Sequence, residues 1–90
     1  MKEYEIKVCG RVQGVWFRKF TKEKAKETGI KGWVKNLPDG NVLVIAQAEK
    51  TDLDTFIDYL KVGPPMARVD KIFTSENNVL SDFDNFSIKY

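Results

Sequence analysis

The chain has 90 residues, with 15 basic and 13 acidic side chains and a formal net charge of +2. That length holds one core and not two, so residues 1–90 are expected to form a single domain, and the small basic excess gives no reason to expect a nucleic-acid partner. The chain has no histidine and one cysteine, Cys9, which excludes an internal disulfide, His-based catalytic triads and paired His/Cys zinc sites.

Tyr4, Ile6 and Val8 alternate with Glu5 and Lys7, the pattern of a half-buried strand. Beyond a glycine-containing loop, Phe17, Phe20, Thr21, Ala25 and Thr28 share one face of a helix, which begins at about Phe17 or Arg18. Gly29 is placed to close that helix with a left-handed cap. Residues 30–37 read as a second strand. Leu37-Pro38-Asp39-Gly40 is a turn signal, and residues 41–48 read as a third strand, so strands two and three form a hairpin. Thr51-Asp52-Leu53-Asp54 resembles a capping box before a helix that buries Leu53, Phe56, Ile57 and Leu60. Gly63-Pro64-Pro65 ends that helix. Residues 67–74 give a fourth strand, 75–85 a polar loop, and Phe86, Ile88 and Tyr90 a short final strand.

The order β-α-β-β-α-β defines an α+β, ferredoxin-like sandwich: an antiparallel sheet with two helices on one face. In this arrangement strand two is expected beside strand one, which would bring Asn36 toward the first loop. The opening Met1–Glu5 has no signal-peptide core and no apolar run approaches membrane-spanning length. A reduced, cytoplasmic setting without a membrane partner is the expectation.

The loop itself carries the chemical signal. Gly10-Arg11-Val12-Gln13-Gly14-Val15-Trp16-Phe17-Arg18 has two glycines, two of the chain's three arginines and no acid. Successive backbone N–H groups that converge before a helix N-terminus make an anion nest, reinforced by the helix dipole. Arg18 can add two parallel charge-assisted bonds to a phosphoryl group. Asn36 offers an amide that both donates and accepts, suited to hold one water in line for attack. No acidic metal cluster is evident in the sequence, since Asp52, Asp54 and Asp58 read as cap and solvent-face residues. A metal-free site without a His base suits a phosphate whose leaving group departs readily, such as a carboxylate.

Taken with Gly32-Trp33-Val34-Lys35-Asn36-Leu37-Pro38-Asp39-Gly40-Asn41-Val42, the loop closely resembles the two signatures of the acylphosphatase family. Gly63-Pro64-Pro65, Ala67, Val69 and the closing Phe86-Ser87-Ile88-Lys89-Tyr90 resemble the family's later segments. The resemblance implies a hydrolase that splits small acyl phosphates into a carboxylate and inorganic phosphate. By matching positions, it makes Arg18 and Asn36 catalytic, and Val12, Gln13, Gly14, Val15, Trp16 and Phe17 the substrate-binding loop. It implies no metal and no cofactor; a stand-alone monomer is expected. Trp16 and Ala48 depart from the commonest family pattern.

The alternative is a non-catalytic phosphate- or carbamoyl-phosphate-binding ferredoxin-like module, as similar domains are within larger hydrogenase-maturation proteins. RNA-recognition domains share the βαββαβ order but need aromatic residues on their central strands, and residues 42–48 have none. Metal chaperones of this fold need paired cysteines.

Overall fold

The computed structural model describes residues 1–90. In chain order the elements are β1 (Lys2–Arg11), α1 (Phe17–Thr28), β2 (Lys31–Asn36), β3 (Val42–Ala48), α2 (Lys50–Val62), β4 (Arg68–Glu76) and β5 (Phe86–Lys89). One five-stranded sheet runs β4-β1-β3-β2-β5. Tyr4, Ile6 and Val8 of β1 stand opposite Ala46, Val44 and Val42 of β3, and Gly32 and Val34 of β2 continue the row. These positions form one side of a continuous core, which Phe17 and Ala25 of α1 and Leu53, Phe56 and Leu60 of α2 complete. α1 packs over β2 and β5, and α2 over β3 and β4. The two-helix, one-face sandwich read from the sequence is therefore the fold. No helix is long and apolar enough to cross a membrane.

Three local expectations are corrected. Strand two is not beside strand one, because β3 lies between them. A hairpin places β3 against β2, and β3 then takes β1 on its other edge. Thr51 does not cap α2. The helix starts two residues earlier, at Lys50, with Glu49 as its N-cap and no side-chain cap bond, and the Thr51 carbonyl accepts from Thr55 Oγ1 at 3.1 Å inside the helix. Finally, the sheet is mixed: β1 to β4 pair antiparallel, but β5 runs parallel to β2, with Phe86 opposite Gly32 and Ile88 opposite Val34.

The path of residues 77–85 explains that direction. β4 is one edge of the sheet and β5 the other, so the chain must cross the whole sheet between them. It crosses at the end where β4 finishes. The crossing is pinned first to Glu3, whose backbone carbonyl accepts from Asn77 N at 2.8 Å. It is pinned next to Gln47, which donates to Ser81 O at 2.7 Å, and last to Gly32 N, which donates to Asn85 O at 3.0 Å. β5 must then start where β2 starts and run the same way. Both strands finish at the opposite end of the sheet, where β1 leaves and α1 begins.

Glu3 is the anchor of this crossing. It is 2% exposed, and its carboxylate accepts from Ser81 N at 2.8 Å, from Gln47 Nε2 at 3.3 Å and from Asn77 Nδ2. Burial pushes its pKa up, but the hydrogen bonds from Asn77, Ser81 and Gln47 together outweigh burial and hold it below the ordinary glutamate value.

Two predictions concern the fold. A carboxylate whose folded pKa is lowered contributes stability that is complete above its unfolded pKa and is lost as pH falls through the folded value. Urea denaturation across pH 3–7 should show stability falling below about pH 4.5. Glu3→Gln should lose about 2–3 kcal/mol at pH 7 and flatten the acid limb. Gly32 has φ 140°, and a Cβ there would strike the Ile45 carbonyl oxygen. Gly32→Ala should therefore destabilise by about 3 kcal/mol or more, read from the same denaturation midpoint.

Candidate active site

The loop between β1 and α1 alternates in and out. Val12, Val15 and Phe17 are buried, while Gly14 and Trp16 are exposed and Arg18 is half-buried. The buried members fix the loop to the core, so the others are presented outward from a held backbone. The turn itself needs two left-handed residues. Gly14 has φ 71°, which glycine adopts without penalty. Trp16 has φ 67° and ψ 21° and is the N-cap of α1. A left-handed conformation costs an L-residue about 1–2 kcal/mol.

This geometry leaves a row of donors uncommitted. The first helical bond runs from Phe20 N to Trp16 O at 3.0 Å, and no backbone N–H from Gln13 through Lys19 is bonded within the chain. At a helix N-terminus such groups carry partial positive charge and point outward along the axis. The Gln13 side chain locks the loop in place, donating from Nε2 to Leu37 O and Asn41 O, both at 2.8 Å. Those carbonyls belong to the β2–β3 turn. Asn36 therefore approaches the loop through this link and not through strand pairing.

Val12, Gly14, Trp16, Phe17, Arg18, Lys19, Asn36, Ile88 and Tyr90 line one open cleft of about 450 Å³. Of the residues singled out in the sequence, Gln13 and Val15 are not on its surface: Gln13 braces the loop from behind and Val15 is packed into the core. Arg18 of α1 and Asn36 at the end of β2 face the same space. The Asn36 Oδ1 is buried and has no hydrogen-bond partner. A buried acceptor left unpaired is destabilising.

Three lining residues were not singled out in the sequence. Ile88 and Tyr90 reach the cleft because β5 runs parallel to β2. The guanidinium of Arg18 lies 4.7 Å from the Tyr90 ring centroid and donates from Nη1 to Lys89 O at 3.4 Å. The alternation of Phe86, Ile88 and Tyr90 was legible, but the direction of the strand was not. Lys19 reads as one of a run of solvent-facing lysines. Its position one residue after Arg18, in the first turn of α1, was the available signal.

The charged side chains of the site are all basic. Arg18, Lys19 and the helix N-terminus face the cleft and no Asp or Glu side chain lines it. No group of three His, Cys, Asp or Glu side chains is arranged to hold a metal anywhere in the chain. Such a site can take a small anion of high charge density, and present one amide to its far side. Ala48, the other unusual position, pairs with Lys2 at the opposite end of the sheet.

The comparisons with known proteins agree with this geometry. The Acylphosphatase family model matches residues 4–88. A curated acylphosphatase of Methylococcus capsulatus is 41% identical over 88 residues, covering 98% of this chain and 96% of the relative. The crystal structure of acylphosphatase from Bacillus subtilis superposes with a TM-score of 0.97 at 40% identity, covering all of both chains. The crystal structure of T. kodakarensis HypF contains a similar unit, at 36% identity and a TM-score of 0.87, although this chain covers only 12% of it. With the family matched along nearly the whole sequence and the fold matched end to end, this chain belongs to the acylphosphatase family, whose members are hydrolases acting on acid anhydrides.

Proposed function

We propose that the chain hydrolyses small acyl phosphates with Arg18 and the Val12–Phe17 loop holding the phosphoryl group and Asn36 orienting the attacking water. The observation that carries this reading is the meeting on one cleft of uncommitted N–H donors and Arg18 with the Asn36 side chain. The donors fit the non-bridging phosphoryl oxygens. The Asn36 amide can hold one water by hydrogen bonds. The family match favours hydrolysis over a non-catalytic module.

The steps follow from those groups. The Asn36 amide hydrogen-bonds the water and directs its oxygen lone pair at phosphorus. A new O–P bond forms as the P–O bond to the acyl oxygen breaks. The carboxylate leaves with the bonding pair, and the water's proton passes to a phosphoryl oxygen. A carboxylate is a weakly basic leaving group, so neither a strong general acid nor a general base is required. Charge that spreads over the equatorial oxygens meets the backbone N–H groups and the guanidinium, which are already in place. No Asp or Glu side chain lines the cleft to hold a divalent ion, which supports a metal-independent reaction. All the groups invoked come from one chain, which supports the 1–90 domain working as a monomer, and we assign it to the reduced cytoplasm.

Steady-state kinetics with acetyl phosphate test these roles. Arg18→Ala should lower kcat/KM by at least about 10²–10³-fold, the loss of about 3–4 kcal/mol typical of one oxyanion contact. It should also weaken competitive inhibition by inorganic phosphate. Arg18→Lys should fail similarly, because the planar fork is lost. Asn36→Ala should lower kcat by a factor on the order of 10² or more while leaving inhibition by phosphate nearly unchanged. Weakened phosphate inhibition with kcat intact would contradict the water-orienting role. Chelation by EDTA should leave the wild-type rate unchanged; loss of activity restored by a divalent ion would contradict metal independence.

A further inference from the structure

We infer that Trp16, with Ile88 and Tyr90, forms a subsite for the acyl end of the substrate that favours flat aromatic acyl groups over small ones. The inference rests on the acyl-phosphate reading above and extends it from the phosphoryl end to the other half of the molecule.

Three observations carry it. First, Trp16 occupies a strained left-handed position, yet its side chain is 75% exposed. Packing against the protein therefore does not offset the strain, and a large aromatic surface is held in solvent at the mouth of the cleft. Strained residues of this kind cluster where ligands are clamped. Second, the cleft of about 450 Å³ is far larger than a phosphoryl group and falls in the range of pockets that enclose whole organic ligands. Trp16, Ile88 and Tyr90 are among its lining residues, Tyr90 being almost fully exposed. Third, the loop couples the two halves. Trp16 contributes both a backbone N–H to the cradle and an indole to the rim, so a phosphoryl group seated on the loop puts its acyl substituent within reach of that ring. Arg18, which the reading above gives to the phosphoryl group, is stacked on Tyr90.

An aromatic acyl group can stack on the indole; an acetyl group cannot cover it. Contact with a part of the substrate that does not react can also steady the reacting end, so the preference belongs in kcat/KM.

The test compares benzoyl phosphate with acetyl phosphate on the wild type, Trp16→Gly and Trp16→Phe. Glycine relaxes the left-handed position, so Trp16→Gly should fold and melt at or above the wild-type temperature. Its benzoyl-to-acetyl ratio of kcat/KM should fall about tenfold from the wild-type ratio, equivalent to about 1.4 kcal/mol. Trp16→Phe should restore most of the ratio. An equal fall with both substrates, or an unchanged ratio, would overturn the subsite and leave the hydrolase reading intact. Turnover of neither substrate by the wild type would overturn both.

Discussion

The site end of this molecule depends on backbone N–H groups that the fold leaves without partners. Left-handed turns at Gly14 and Trp16 deliver the chain into α1 with its first donors facing outward. Three buried side chains and the two bonds from Gln13 hold that backbone still. Donors fixed in this way need no reorganisation when charge develops against them, which is why a rigid cradle can stabilise a transition state better than water does. The arginine adds a full charge to what the peptide dipoles supply.

The rest of the fold brings three distant segments to that end. β1 ends there, β2 ends there with Asn36, and β5 ends there with Ile88 and Tyr90. The third arrival is a consequence of events at the far end of the sheet. The crossing of residues 77–85, pinned by the buried Glu3, sets the direction of β5 and so decides which of its ends meets Arg18. A carboxylate with no role in the chemistry thereby supports the wall of the cleft. Disturbing Glu3 acts on stability first and on the site only through β5.

Much of this was legible in the sequence, for identifiable reasons. The strands and helices follow from alternation and helical spacing, because each element buries one face. The loop from Gly10 to Arg18 stands out because glycines, arginines and the absence of acids are concentrated in nine residues. The position of β3 between β1 and β2 was not legible: local patterns specify which face a strand buries, not which neighbour it takes. The direction of β5 was hidden for the same reason, and Tyr90 and Ile88 with it. The start of α2 was misplaced because Thr51 looks like a cap in sequence, while Glu49 adopts the extended backbone of the N-cap without a side-chain bond. The left-handed Trp16 could not be foreseen, since nothing local marks a bulky residue for that conformation.

The central claim is that the N–H groups of the first loop, and not the scattered lysines, hold the phosphoryl group. Titration of the ¹⁵N-labelled protein with inorganic phosphate tests it most directly. The amides from Gly14 to Lys19 should move together with a single affinity, with the Arg18 side chain following, while amides near Lys2, Lys31 and Lys71 stay in place. Shifts confined to those lysine-bearing strands, or an unmoved loop at phosphate concentrations that inhibit turnover, would contradict the account.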